Sequence, residues 1–173
     1  IAKTFLPTKR GQFTLYLYND TNSGQEHLAL VCGDITGSKR PVLTRIHSAC
    51  LTGDVFGSRR CDCQDQLRQS LKKIQTRGVG VIVYLDQEGR GIGLTNKIKA
   101  YVLQDQGLNT AEANIKLGFK SDGRRFLAAA AILKNLGVKT IALMTNNPQK
   151  ISDLERRGLK VSRERFWLKD NQY

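Results

Sequence analysis

Gly80-Val81-Ile82-Val83-Tyr84-Leu85-Asp86-Gln87-Glu88-Gly89-Arg90-Gly91-Ile92-Gly93-Leu94 is the stretch from which the fold is read. Its first six residues are rich in β-branched side chains and too few for a helix, which predicts a buried strand. Glycines at every second position from Gly89 then break the strand, and a helix is expected near Asn96 to Gln106, with Ile98, Tyr101 and Val102 on one stripe and Gly107 at its end. Upstream, Leu67, Leu71 and Ile74 recur at helical spacing and Gly78 stands where a C-cap belongs. Downstream, Phe126, Ala129, Ala130 and Leu133 supply the core face of a helix from about Arg125 to Leu136, and Thr140 to Met144 form the next strand. Pro148 occupies a natural first helical position, with Ile151 and Leu154 lining a helix that ends at Gly158. Before Thr52 the pattern changes to short strands, Phe13 to Tyr18, His27 to Val31 and Val42 to Ile46, separated by polar turns. The expectation is an α/β fold: a mixed sheet with flanking helices and an antiparallel, strand-rich N-terminal part. No repeat or Pro-rich linker interrupts the chain, so residues 1–173 are expected to form a single domain.

The 28 Lys and Arg against 15 Asp and Glu give a formal net charge of +13. Such an excess attracts polyanions: nucleic acid, an anionic membrane or a phosphorylated small molecule. The basic residues are scattered, as in Arg59-Arg60 and Lys72-Lys73, with no run longer than two, and aromatic content is 7% without a stacking motif. Both features argue against nucleic acid as a partner. Apolar runs such as Val79 to Leu85 are far shorter than the roughly 20 residues of a membrane helix, so no membrane partner is expected. Ile1-Ala2-Lys3-Thr4 has no apolar leader, which predicts a cytoplasmic chain.

Cys50, Cys61 and Cys63 fall within fourteen residues. Three thiolates suit a zinc ion and leave the fourth tetrahedral position open for water, the arrangement of catalytic sites. The alternatives are a structural site completed by Cys32 or His47, and thiols that are simply buried. The His-x-Glu and Pro-Cys-x-x-Cys pattern of zinc deaminases is absent.

Two strand-to-helix junctions could hold phosphate. Glu88 to Leu94 combines flexible glycines, a helix start and the Arg90 fork, although a tight turn with exposed charges explains the same glycines. Thr145-Asn146-Asn147-Pro148 lies at a strand's carboxyl end, where open α/β sheets bind ligands, or is an ordinary N-cap. In Ser121-Asp122-Gly123-Arg124 a carboxylate and a guanidinium precede a helix, and on generic grounds Asp122 reads as its cap before it reads as a functional group.

Taken together these segments resemble one family, GTP cyclohydrolase II, the zinc enzyme that opens riboflavin synthesis. The resemblance rests on Arg45-Ile46-His47-Ser48-Ala49-Cys50-Leu51-Thr52-Gly53-Asp54, Arg60-Cys61-Asp62-Cys63, Gln87 to Leu94, Asn96 to Tyr101, Leu103 to Gly107 and Thr145 to Pro148. It implies hydrolysis of GTP with release of C8 as formate and of pyrophosphate, leaving 2,5-diamino-6-ribosylamino-4(3H)-pyrimidinone 5′-phosphate. It further implies one zinc per chain on Cys50, Cys61 and Cys63, magnesium with the triphosphate, and a homodimer. Arg45, Ile46, His47, Ser48, Ala49, Gln66, Glu88, Gly89, Arg90, Thr110, Thr145 and Lys150 would form the GTP site. By the same resemblance Tyr101 is an active-site tyrosine, Asp122 a general base and Arg124 a nucleophile toward the α-phosphate. Because a guanidinium stays protonated, Arg124 reads equally as a transition-state clamp. The chain departs from the family at Ala49, where Glu is usual, and at Gln64, where Gly commonly follows the Cys-x-Cys. Two alternatives therefore stand beside full GTP hydrolysis: a paralogue with partial ring-opening activity, and a basic nucleic-acid-binding module with structural zinc.

Overall fold

The computed structural model describes residues 2–165; Ile1 and residues 166–173 of the expected domain lie outside the described residues. The strands are β1 (Ala2–Thr8), β2 (Gly11–Asn19), β3 (Glu26–Cys32), β4 (Val42–Ser48), β5 (Gly80–Leu85), β6 (Thr140–Met144) and β7 (Lys160–Glu164). They form one mixed sheet in the order β1-β2-β3-β5-β4-β6-β7. The pairings β1 to β2, β2 to β3 and β3 to β5 are antiparallel, whereas β4 is parallel to both β5 and β6, and β6 to β7. The expected architecture is therefore present.

Helices α1 (Leu51–Asp54), α2 (Cys63–Arg77), α3 (Glu88–Gly91), α4 (Gly93–Asp105), α5 (Thr110–Lys116), α6 (Leu127–Asn135) and α7 (Pro148–Glu155) connect and cover the strands. β4 is buried over nearly its whole length because it has strand neighbours on both sides and helices on both faces. Its even residues Val42 and Ile46 join Val81, Val83, Leu133 and Leu154 in the core under α6 and α7. Its odd residue Leu43 packs with Ile82, Met144 and Ile74 under α2. The α2 helix stops at Gly78, whose φ of 75° places it in the left-handed region, and its N–H bonds the carbonyls of Ile74 and Gln75. Phe126, Ala129, Ala130 and Leu133 face the core as their spacing predicted.

Three expectations are corrected. The stripe expected to bury α4 is split: Ile98 and Val102 are about half exposed, while Tyr101 lines the cleft and Lys97 and Ala100 are buried. This helix covers a polar cleft at the end of the sheet, so its inner face carries the residues of that cleft. Asp122 does not cap α6, whose N-cap is Phe126 without a side-chain bond. Its carboxylate instead accepts from the backbone N–H and guanidinium of Arg124. Strands β1 and β7 and helix α5 were not anticipated. The two strands are sheet edges with mostly exposed residues, and α5 is announced only by the capping box of Asn109 and Glu112. No helix among the described residues is long and apolar enough to cross a membrane.

Candidate active site

The carboxyl ends of β4, β5 and β6 open onto a cleft with two lobes, of about 450 and about 510 Å³. Ser48, Cys63, Gln66 and Arg124 line both lobes and so join them. The first lobe holds the cysteines, the turn around Arg90, and Tyr101 and Thr110 from the α4 side. The second holds Arg45, His47, Thr145 and Lys150.

Cys50 ends the segment after β4, Cys61 precedes α2 and Cys63 is its first residue, so two short connections fold the three thiols together. All three sulfurs lie within 4.8 Å of one another, with 3.6 Å between Cys50 Sγ and Cys61 Sγ. Tetrahedral zinc with Zn–S of about 2.3 Å requires sulfurs about 3.8 Å apart, so the donor set and spacing fit such an ion. The backbone also makes room for it. A Cβ on Gly53 would stand 2.7 Å from Cys61 Sγ and 3.0 Å from Cys50 Sγ. Hydrogen bonds from the Cys61 and Cys63 thiols, and then from Lys97, hold the Cys50 thiol well below its usual range, while bonding to Cys50 pushes the other two up. Cys32 is apart from this cluster, bonded to Gly78 O and Gln75, and His47 is held by Asp54.

A surrounding set of hydrogen bonds fixes Cys50. The Asp54 carboxylate accepts from His47 Nε2 at 3.0 Å, from Tyr84 Oη at 2.8 Å and from the Cys50 backbone N–H at 3.1 Å. Since a carboxylate only accepts, His47 Nε2 carries the proton of this bond. Burial, then the bond to Asp54, raises the Tyr84 pKa and keeps its donor proton in place. His47 Nδ1 and Ser48 Oγ are buried without a hydrogen-bond partner among the described residues, as expected of groups that a ligand completes. Glu88 accepts from the Leu51 N–H at 2.7 Å and from Lys97 Nζ at 2.8 Å, and Lys97 Nζ also donates to Cys50 Sγ at 3.1 Å. Tyr101 Oη lies 3.1 Å from Thr52 Oγ1, with the Arg60 guanidinium 4.8 Å from its ring centroid.

The second lobe concentrates positive charge. Arg45 donates to Met144 O at 2.8 Å and to Gln66 Oε1, and burial lowers its pKa to about 10, so it stays charged at neutral pH. Lys150 Nζ donates to Ile46 O at 3.1 Å, and burial, reinforced by Arg45 and Arg124, pulls its pKa down to about 7. Burial opposes ionisation of Asp122, but the Arg124 bonds outweigh it and hold the carboxyl below its usual range. Gln87 fixes the Arg124 loop to the end of β5: its amide donates to Arg125 O at 2.5 Å and accepts from Arg125 N at 3.3 Å. Gly123 N also bonds Arg90 O at 3.1 Å. Gly89 and Arg90 both have φ of 62°, and Arg90 is the only non-glycine in that region among the described residues. A side chain there costs about 1–2 kcal/mol, a strain located on the cleft wall.

The residues expected at the site thus mostly meet at one cleft. Two do not line it. The Ile46 side chain packs in the core and offers only its carbonyl, and Asp122 stands behind Arg124. Asp54, Lys97, Gln87, Arg60, Thr52 and Asn114 belong to the cleft or its support without having been singled out. For Asp54 and Lys97 the only sequence signal was membership in the motif segments, because what distinguishes them is burial beside a thiol.

Comparison with known proteins agrees with this geometry. The family model for GTP cyclohydrolase II matches residues 1–166. The chain is 55% identical over 157 residues to riboflavin biosynthesis protein RibBA of Bacillus subtilis, covering 91% of this chain and 39% of that protein. It is 53% identical over 172 residues to GTP cyclohydrolase-2 of Aeromonas hydrophila, covering 99% of this chain and 86% of that protein. It is 52% identical over 161 residues to GTP cyclohydrolase-2 of Neisseria meningitidis serogroup B, covering 93% and 81%. The chain therefore spans well under half of the RibBA protein and most of the GTP cyclohydrolase-2 chains. With a sequence match over nearly its whole length and a three-thiol cleft at the expected residues, the chain belongs to the GTP cyclohydrolase II family.

Proposed function

We propose that this chain hydrolyses GTP, carried as its magnesium complex, to formate, pyrophosphate and 2,5-diamino-6-ribosylamino-4(3H)-pyrimidinone 5′-phosphate, the first step of riboflavin synthesis. The observation that carries the reading is the joining of a three-thiol cluster and a basic lobe through Cys63 and Arg124. The relatives named GTP cyclohydrolase-2 support it. Loss of C8 as formate breaks two C–N bonds and release of pyrophosphate breaks one phosphoanhydride, so three waters are consumed.

Cys50, Cys61 and Cys63 would hold zinc, which when bound supplies a Lewis acid and activates water for attack at C8. Tyr101 Oη, poised by Thr52, donates a hydrogen bond to N7 and makes C8 more electrophilic. Arg45, Arg90 and Lys150 neutralise the phosphates as charge moves onto the departing pyrophosphate. Arg124 clamps the α-phosphate; its Nε and Nη2 are both engaged by Asp122, an ion pair that favours the clamp over a nucleophile. His47 Nδ1 and Ser48 Oγ, together with Ala49, Gln66, Glu88, Gly89, Thr110, Thr145 and the Ile46 carbonyl, complete the nucleotide site. We extend the reading to a homodimer in the cytoplasm, with the exposed Leu94, Ile98 and Val102 of α4 as apolar surface suited to self-association.

One observation favours a second reading: Ala49, where the family usually has Glu, lines the cleft beside Cys50 and brings no carboxylate to it. In that case the ring opens but a formylated product is released. Mass spectrometry and formate assay of the products from GTP, with Cys61→Ser as the control lacking one thiol, separate the readings. A formate-free formylamino product supports the second, and no conversion of GTP by the zinc-loaded protein contradicts both.

A further inference from the structure

Lys97 is a lysine that a helix on the surface of a domain would ordinarily leave in water, yet it is only 7% exposed. Its ammonium donates to two groups, Cys50 Sγ at 3.1 Å and Glu88 Oε1 at 2.8 Å. Glu88 closes a ring, since its other oxygen accepts the N–H of Leu51, the residue after Cys50. The stem of Lys97 also supports the strained turn: a Cβ at Gly89 would fall 3.0 Å from Lys97 Cβ, so the turn that carries Arg90 rests directly on this side chain.

A divalent ion with three thiolates carries one excess negative charge, and Glu88 adds another. In a half-buried site that charge is costly unless a cation is bonded to it. Arg60, another of the cations lining the cysteine lobe, is engaged with Asp105 at 2.5 Å and is far more exposed. We propose that Lys97 is a positioning residue of the metal centre: it balances the charge of the three-thiolate site through Cys50 and ties that ligand, through Glu88, to the turn carrying Arg90. The inference rests on the reading of the three thiols as a metal site.

The test uses metal-stripped protein and zinc affinity measured by competition with a chromophoric chelator, with circular dichroism and thermal melting of the same samples. Outer-shell partners of metal ligands are typically worth about 10–100-fold in affinity, and Lys97→Met, which keeps the stem and removes the charge, is expected to weaken zinc by that amount. Lys97→Arg is expected to recover most of the loss. A merely structural lysine would lower the melting temperature of the metal-free protein and leave zinc affinity unchanged. A folded Lys97→Met that binds zinc within about twofold of the parent overturns the proposal, as does an Arg variant as weak as the Met variant. Should Lys97→Met fail to fold, Lys97→Gln, which still donates to Glu88 without charge, is read by the same criteria. Formate production by the zinc-loaded parent tests the proposed function separately, so absence of formate with a large affinity loss in Lys97→Met would refute the function and leave the role of Lys97 standing.

Discussion

Replacing Asp54 by Asn is the substitution whose cost can be worked most directly from the geometry. The carboxylate accepts from Tyr84 Oη at 2.8 Å, His47 Nε2 at 3.0 Å and Cys50 N at 3.1 Å, and the His47 and Asp54 side chains are 2% and 5% exposed. Water therefore cannot replace a lost partner. Asparagine offers one oxygen, and its amide turns two protons toward groups that are themselves donors. Hydrogen bonds to charged acceptors contribute about 1.5–3 kcal/mol each, and a buried donor left unpaired costs a similar amount, so the substitution should destabilise the metal-free protein by about 3 kcal/mol. For a chain of this size that is a drop of about 6–12 °C in Tm. The assay is thermal unfolding of stripped protein followed by far-UV circular dichroism, alongside Tyr84→Phe, which removes one donor to the carboxylate and should cost about 1.5–3 kcal/mol. If Asp54→Asn melts within about 2 °C of the parent, the network does not anchor Cys50 and the reasoning fails.

Further outcomes follow at Lys150 and Gly53. Lys150, with its pKa pulled down to about 7, gains a proton when a triphosphate binds beside it, so calorimetry in buffers of different ionisation enthalpy near pH 8 should show proton uptake that Lys150→Met abolishes. GTP affinity should then fall by up to tenfold per unit as pH rises above about 7, because deprotonating the free enzyme's lysine must be reversed on binding, and should be flat with respect to this group below it. The same lysine destabilises the unliganded fold below about pH 7, where it is buried charged, and that penalty is relieved as pH rises toward the value of a free lysine. Gly53→Ala places a methyl 2.7 Å from Cys61 Sγ and 3.0 Å from Cys50 Sγ, and should lower bound zinc below one per chain, read by elemental analysis.

The sheet was legible where burial is strong and two-sided. Val42 to Ile46, Val81 to Leu85 and Thr140 to Met144 are rich in apolar and β-branched residues because helices cover both faces, and that signal survives without any structure. It fails at the edges, since Lys160–Glu164 and Ala2–Thr8 are held by backbone pairing and need no apolar pattern. The split stripe of α4 shows a different limit: periodicity locates a stripe, but which stripe turns inward depends on whether the neighbour is a core or a cleft, and Lys97 beside Cys50 reveals a cleft. The three thiols were readable from spacing because two short connections leave them little freedom to be apart. Asp54 was not, because its importance lies in His47, Tyr84 and the Cys50 N–H converging on it, and Tyr84 arrives from β5, thirty residues away along the chain.

The central claim is that one cleft opens the guanine ring at C8 and releases pyrophosphate. The most direct measurement is product identification from GTP labelled with carbon-13 at C8, using protein of known zinc content with magnesium present. The account predicts labelled formate and pyrophosphate in equal amounts, with a diaminopyrimidine monophosphate that carries no label. Recovery of intact GTP, or of a product that retains the label while the protein holds one zinc per chain, would contradict it.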